Sequence, residues 1–192
     1  PAMELVLPKM RANLTDVERE VVSEDKAYDA LLWLMVPIQY GLLVWFLWQA
    51  ATGVLEIWTG EWWGFVLAMG LSCSILGINV AHELGHRRER HNQILSQLLL
   101  TTSLYTHFFI EHNKGHHRNV ATHEDPGTAR RNEWLHAFWF RAVFLAWWSA
   151  WKIEAKALRR KGKSPWHPSN PFLRLQALQW GLLAAVFAFL GW

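Results

Sequence analysis

Long apolar runs, each free or nearly free of charge, alternate with short charged segments along this chain. Leu31 to Ala51 has no charged residue, nor has Trp62 to Ala81, and Pro171 to Trp192 has only Arg174. A helix crosses a bilayer with about 20 mostly apolar residues, so these runs predict three spanning helices. Two further stretches fall short. Gln93 to Ile110 is apolar but brief, with Thr101, Thr102 and Ser103 at its centre. Trp134 to Ile153 holds His136, Arg141 and Lys152, which predicts a helix along the surface rather than across.

The ends and links read differently. Pro1 to Ala30 is charged and polar and does not resemble a cleaved signal peptide. Within it, Thr15-Asp16-Val17-Glu18 fits a capping box, which predicts a helix start. Lys161 to Pro171, with Gly162, Pro165 and Pro168, predicts a loop into the last helix. The expected organisation is a cytoplasmic N-terminal segment over 1–30 and a membrane-embedded domain over 31–192. The fold class is all-α, an integral membrane helical bundle.

Composition sharpens this. The chain is 52% hydrophobic and contains 14 Trp, too many for an ordinary soluble domain of 192 residues. Its one cysteine, Cys73, rules out an internal disulfide. Without a Cys-x-x-Cys pair the chain has no iron–sulfur or rubredoxin-type centre of its own.

Charge sets the orientation. Basic residues gather at Arg87, Arg88 and Arg90, from Lys114 to Arg131, and from Lys152 to Lys163, whereas the link Thr52–Glu61 has Glu56 and Glu61 and no base. The positive-inside tendency places the basic segments on the cytoplasmic side. These bases are explained by the membrane they flank, so no nucleic-acid partner is expected. The second run then returns inward and delivers His82 to the cytoplasmic boundary. If Gln93–Ile110 crossed, His112 would end roughly 30 Å from His82, one hydrocarbon thickness away. The polar centre of that stretch predicts a re-entrant or partly immersed helix that starts and ends on the cytoplasmic side, with irregular backbone buried in protein.

That prediction matters because of two histidine clusters, His82-Glu83-Leu84-Gly85-His86 and Glu111-His112-Asn113-Lys114-Gly115-His116-His117. In each, imidazoles four residues apart share a helical face. Five imidazoles with no thiolate nearby point to an oxygen- or water-activating metal centre. Alone, the first cluster fits the H-E-x-x-H pattern of zinc metalloproteases, with Glu83 as general base. A mononuclear zinc site takes three protein ligands and keeps one position open. Five imidazoles suit two metals better. Nitrogen donors leave iron, zinc and copper open.

His-Glu-Leu-Gly-His followed about 25 residues later by Glu-His-Asn-Lys-Gly-His-His-Arg resembles the first two histidine boxes of the membrane-bound alkane hydroxylases. These are non-haem di-iron enzymes related to xylene monooxygenases and fatty-acid desaturases. Three residues between His112 and His116, and the tail Asn119-Val120-Ala121-Thr122 with Glu124-Asp125-Pro126, favour the hydroxylase branch. The resemblance implies that His82, His86, His112, His116 and His117 are iron ligands. It implies two irons per full-length chain, O2 as oxidant, and hydroxylation of the terminal methyl of medium-chain n-alkanes to 1-alkanols. Electrons would come from rubredoxin, separate or fused, at a bacterial inner membrane. The family's third histidine box, its Asn-Tyr-x-Glu-His-Tyr-Gly motif and an earlier helix pair are not in these 192 residues. The chain therefore reads as an internal portion of a longer protein, inactive alone.

Metal-bound imidazoles usually give their other N–H to a carboxylate or carbonyl. Glu83, Glu111 and Asp125 are the candidates, Asp125 first. His107 and His123 lie near the clusters, while His91, His136 and His167 read as ordinary surface or helix-start residues. An alkane offers only burial and shape. Leu71, Ile75 and Ile78 precede His82 by 11, 7 and 4 residues and are expected to line a hydrocarbon channel. Arg87, Arg88, Arg90, Arg118, Arg130 and Arg131 form a basic surface that would attract an acidic electron carrier.

Overall fold

The computed structural model describes Thr15, Glu18 and residues 25–190, with side chains as far as Ala188. These residues are helical, with no strand among them. The capping box is present: the Glu18 N–H donates to Thr15 Oγ1 at 3.3 Å, and the Thr15 N–H donates to the Glu18 carboxylate at 2.8 Å. The rest of the expected N-terminal segment up to residue 24 lies outside the described residues, as do Gly191 and Trp192 at the end of the last apolar run.

Helix α1, Lys26–Ala51, begins before its apolar run because the Asp25 carboxylate accepts from the Ala27 N–H at 2.9 Å. Helix α2 runs without a break from Gly60 to His86 and is capped by Thr59, whose hydroxyl accepts from the Trp62 N–H at 3.2 Å. Its middle, Cys73–Asn79, is wound as a π-helix. The last helix, α6, spans Pro171–Leu190. These three helices are long and apolar enough to cross a membrane. Large apolar side chains such as Trp45, Leu67 and Leu71 stand exposed on them, a surface that water would not tolerate but lipid covers.

Between α2 and α6 the chain folds back on itself. The stretch Gln93–Ile110 is not one helix. Helix α3, Arg90–Thr102, rises about 20 Å over its 13 residues, short of the roughly 30 Å hydrocarbon core. It ends in a tight turn, with Leu104 at φ 52° and the Tyr105 N–H bonded to the Leu100 carbonyl at 3.0 Å. Helix α4 then returns through Phe108–Glu111, a π-turn His112–His116 and a last α-turn His117–Asn119.

Polar side chains from the apolar helices satisfy this buried turn. The Tyr40 hydroxyl meets Thr101 Oγ1 at 2.6 Å, and the Gln39 amide donates to Thr102 Oγ1 at 3.4 Å. The Ser72 hydroxyl donates to Gln39 Oε1 at 2.6 Å. From α6, Gln179 accepts both the Thr106 N–H (3.1 Å) and the Thr106 hydroxyl (2.8 Å). A backbone bend far from water keeps its hydrogen bonds only through such partners.

Two small cores hold the arrangement. Val36, Ala81, Leu84, Leu99 and Leu100 join α1, α2 and α3, where Gly85 lets α3 approach until a Cβ there would sit 3.0 Å from Ser96 Oγ. Ile110, Ala150, Phe172 and Leu175 join α4 and α6 to the helix between them, α5 (Leu135–Arg160). Helix α5, Leu135–Arg160, is longer than the predicted Trp134–Ile153 and is amphipathic. Ala146, Ala150, Glu154, Ala155 and Leu158 are buried on one side, while Trp139, Phe140, Phe144 and Trp148 are exposed on another.

Candidate metal centre

The returning hairpin brings the two histidine clusters together. His86 Nε2 lies 3.1 Å from His82 Nε2 and 3.1 Å from His112 Nε2. His117 Nε2 lies 3.1 Å from His112 and 3.4 Å from His86. Three of these nitrogens, from His82, His86 and His112, all lie within 4.8 Å of one another, and His117 Nε2 adjoins two of them. Two neutral imidazoles facing each other through lone pairs repel unless a proton or cation lies between them. At a metal–nitrogen length of about 2.1 Å, ligand nitrogens sit about 3.0 Å apart at octahedral corners and about 3.4 Å apart at tetrahedral ones. The observed spacings match the edges of a coordination polyhedron, and the donor set fits a borderline metal ion.

Local backbone explains which histidines meet. His82 and His86 are one α-turn apart, as the sequence predicts. In the second cluster the partner of His112 is His117, not His116. The His117 N–H reaches the His112 carbonyl, so the turn holds five residues and aligns positions i and i+5. His116 is displaced to the side, stacked on His112 with ring centroids 5.2 Å apart. Its Nδ1 faces Asp125 Oδ2 at 2.9 Å, which leaves Nε2 as the atom available to a metal.

Burial pushes the His112 imidazole far below its ordinary pKa, to about 3, helped by His82, His117, His86 and His116. The ring therefore stays neutral, as a ligand must.

The three candidate carboxylates fare differently. Asp125 is buried. Burial alone would raise its pKa, but hydrogen bonds from Thr128, the Gly127 N–H and His116 outweigh it and hold the carboxylate below its ordinary value. Glu111 is buried beneath the second cluster, accepts from the Ser149 hydroxyl at 3.3 Å, and is raised chiefly by burial. Glu83 is half-exposed and bonds to Arg87 at 2.9 Å, turned to the surface rather than to an imidazole. Gly115 is required beside Glu111, since a Cβ there would collide with that carboxylate and come within 3.2 Å of Ile153.

Of the remaining sequence candidates, Ile78 packs against the first core, while Leu71 and Ile75 are exposed on α2. The π-helix between Cys73 and Asn79 shifts the register that the 4, 7 and 11 spacings assume. His107 is buried at the hairpin turn with neither ring nitrogen hydrogen-bonded. His123 is exposed and is not among the histidines that meet. Sequence reasoning missed Arg141, Thr128 and Ser149. The run Asp125-Pro126-Gly127-Thr128 carries an Asx-turn signature, because the Gly127 N–H bonds Asp125 Oδ1 at 2.8 Å.

Residues 57–192 match the family described as Fatty acid desaturase. The chain is similar to alkane 1-monooxygenase 1 of Alcanivorax borkumensis, at 38% identity over the whole chain and 46% of that protein. It is similar to an alkane 1-monooxygenase of Pseudomonas putida, at 35% identity over 90% of this chain and 42% of that one. It is also similar to the hydroxylase component of a xylene/toluene monooxygenase of Pseudomonas putida, at 30% identity over 92% of this chain and 46% of that one. The chain thus spans about half the length of the curated relatives it matches. The family match covers more than half of the chain, and the chain belongs to the fatty acid desaturase family.

Proposed function

We propose that this chain is the metal-holding part of a membrane alkane 1-monooxygenase. The observation that carries the reading is the convergence of the His82, His86 and His112 nitrogens from two separate elements, with His117 adjoining, in a chain whose relatives are alkane 1-monooxygenases. His82, His86 and His112 are ligands around one position, with His117 beside them, and His116 offers Nε2 to a second. Asp125 and Glu111 orient and charge-balance the site from behind; Glu83 serves the surface. The metal is iron, two per full-length chain, with further ligands supplied from outside these residues. Iron supplies the activation of dioxygen that hydroxylation of an unactivated C–H bond needs.

The chain's own residues supply position and dryness. An n-alkane has no polar handle, so its methylenes must be buried at about 0.8 kcal/mol each. The exposed apolar stripe of Leu71 and Ile75, with Ile78 nearer the site, gives medium-chain alkanes an approach from lipid along α2 to His82. The hairpin α3–α4 is re-entrant: it enters the bilayer from the cytoplasmic side and returns there, keeping both clusters on one face. The basic flanks support that side as cytoplasmic, at a bacterial inner membrane. Electrons reach the site from rubredoxin, an acidic partner drawn to Arg88, Arg90, Arg118, Arg130 and Arg131. Arg87 contributes less, being engaged by Glu83 and Asp29.

The zinc-protease alternative is disfavoured by geometry. A hydrolytic zinc needs an open position for water and a free carboxylate to deprotonate it. Here a fourth imidazole, His117, adjoins the three that meet, and Glu83 is tied to Arg87. The test uses the full-length protein in membranes, analysed for bound metal and assayed with an n-alkane, O2, rubredoxin and its NADH-dependent reductase. Two irons per chain and formation of 1-alkanol are expected. One zinc per chain with peptide cleavage overturns the reading.

A further inference from the structure

We propose that Arg141, on the first turns of α5, is a positioning residue for the metal centre, acting through the Asp125 loop on His116. The inference rests on the metal-site reading above and adds a residue that touches no candidate ligand.

The chain of contacts is continuous. His116 Nδ1 faces Asp125 Oδ2 at 2.9 Å, and Asp125 is 2% exposed. Asp125 sits in a loop with no regular secondary structure, between α4 and α5. Such a loop does not fix a carboxylate unless something holds its backbone. Arg141 does so on both sides of Asp125. Its Nη1 donates to the Pro126 carbonyl at 3.1 Å, and its Nη2 donates to the Thr128 carbonyl at 3.0 Å. Its Nε and Nη2 also form a two-pronged pair with Glu133, at 2.5 and 2.8 Å. Glu133 in turn accepts the Arg130 N–H at 2.9 Å, which closes the far end of the loop. Thr128, whose carbonyl is held, donates its own hydroxyl to Asp125 Oδ2.

One planar guanidinium therefore pins two loop carbonyls and one loop carboxylate to a rigid helix. A lysine has the charge but not the forked donors for this task. The cost of looseness falls on His116. If Asp125 drifts, Nδ1 loses its acceptor, the ring can turn or change tautomer, and Nε2 no longer points to a fixed place. Partners behind a ligand typically govern metal affinity by about 10–100-fold.

The experiment uses the full-length, iron-loaded protein in detergent. It measures the rate at which ferrous iron is lost to a chelator, with helical content and elution profile as folding controls. Arg141→Gln is expected to lose iron about tenfold faster than the parent, Arg141→Lys to be intermediate, and Glu133→Gln to show a smaller effect of the same kind. The deciding comparison is the background. If Arg141 acts through Asp125, Arg141→Gln adds little in a protein already carrying Asp125→Ala. Full additivity of the two losses, or parental retention in Arg141→Gln, overturns the proposal. Should Arg141→Gln fail to fold, Glu133→Gln and its combination with Asp125→Ala provide the same comparison. His116→Ala runs alongside. If it keeps iron as the parent does, the assignment of His116 as a ligand has failed, and that outcome is distinct from failure of the Arg141 link.

Discussion

His112 and His117 are five residues apart, yet their Nε2 atoms stand 3.1 Å from each other. An α-helix would separate these positions by 140° around its axis and bring His112 and His116 together instead. The π-turn exchanges one partner for the other. It does so over Gly115, whose missing side chain leaves room for the Glu111 carboxylate beneath the turn.

Gly115→Ala is therefore expected to disturb the site. A methyl group must displace either Glu111 or Ile153, at a cost of about 1–3 kcal/mol for an overpacked position. The variant should melt earlier and bind less metal. Thermal unfolding in detergent together with metal analysis checks this, and a variant that matches the parent in both would show that the turn has slack.

Gln179→Leu tests the hairpin. Gln179 is the acceptor for the Thr106 N–H and hydroxyl at the buried turn. Leucine has similar volume but no acceptor, so the N–H is stranded at about 1–3 kcal/mol. Stability should fall by that order, while Gln179→Glu should retain part of the acceptance. Equal unfolding temperatures for the parent and the leucine variant would mean that the turn finds another partner.

Much of this architecture was legible because its signals are long or dense. The uncharged runs from Leu31 and Trp62 announce spanning helices, and Thr101–Ser103 announces the break in the next. The break is visible because buried polar residues need partners, and Gln39 and Tyr40 provide them for Thr102 and Thr101, as Gln179 does for Thr106. What the sequence hides is register and reach. Nothing in His-Asn-Lys-Gly-His-His distinguishes a four-residue turn from a five-residue one. The residues that lie against the turn, Glu111 beneath Gly115 and Ser149 bonded to Glu111, come together only in the fold. The same limit applies along Leu71, Ile75 and Ile78, since their spacing does not reveal the π-turn that sets the register over Cys73–Asn79. Arg141 was passed over as a charge interrupting an apolar run, because its partners are loop carbonyls, which leave no mark in a sequence.

Bulk placed along α2 should change substrate choice. Leu71 is 63% exposed and Ile75 55% exposed on the apolar surface leading toward His82. If alkanes travel along this stripe, Leu71→Trp or Ile75→Trp shortens the longest chain the full-length enzyme accepts, and Ile75, nearer the site, has the larger effect. Product profiles across a series of n-alkanes supply the measurement. An unchanged chain-length preference in both variants removes the stripe from the substrate route.

Acid should loosen the Asp125 loop in a defined window. Hydrogen bonds from Arg141, then from the Arg130 N–H, hold the Glu133 carboxyl well below its ordinary value of 4.5, at about 2. A carboxylate depressed on folding contributes its full stabilisation above its unfolded value and loses it as pH falls through the folded one. The Glu133–Arg141 link therefore stays intact from neutral pH to about 4.5 and fails progressively toward about 2. Asp125, also depressed, weakens in the same direction. Pepsin, which cuts throughout this range, can report it. At pH 5, Glu133→Gln should be cleaved within residues 121–134 faster than the parent. Near pH 2 the difference should have largely closed, because about half of the parent's Glu133 is then protonated and most of the link's stabilisation is gone. A difference that stays constant from pH 5 to pH 2 would show that the loop is held by something other than this ion pair.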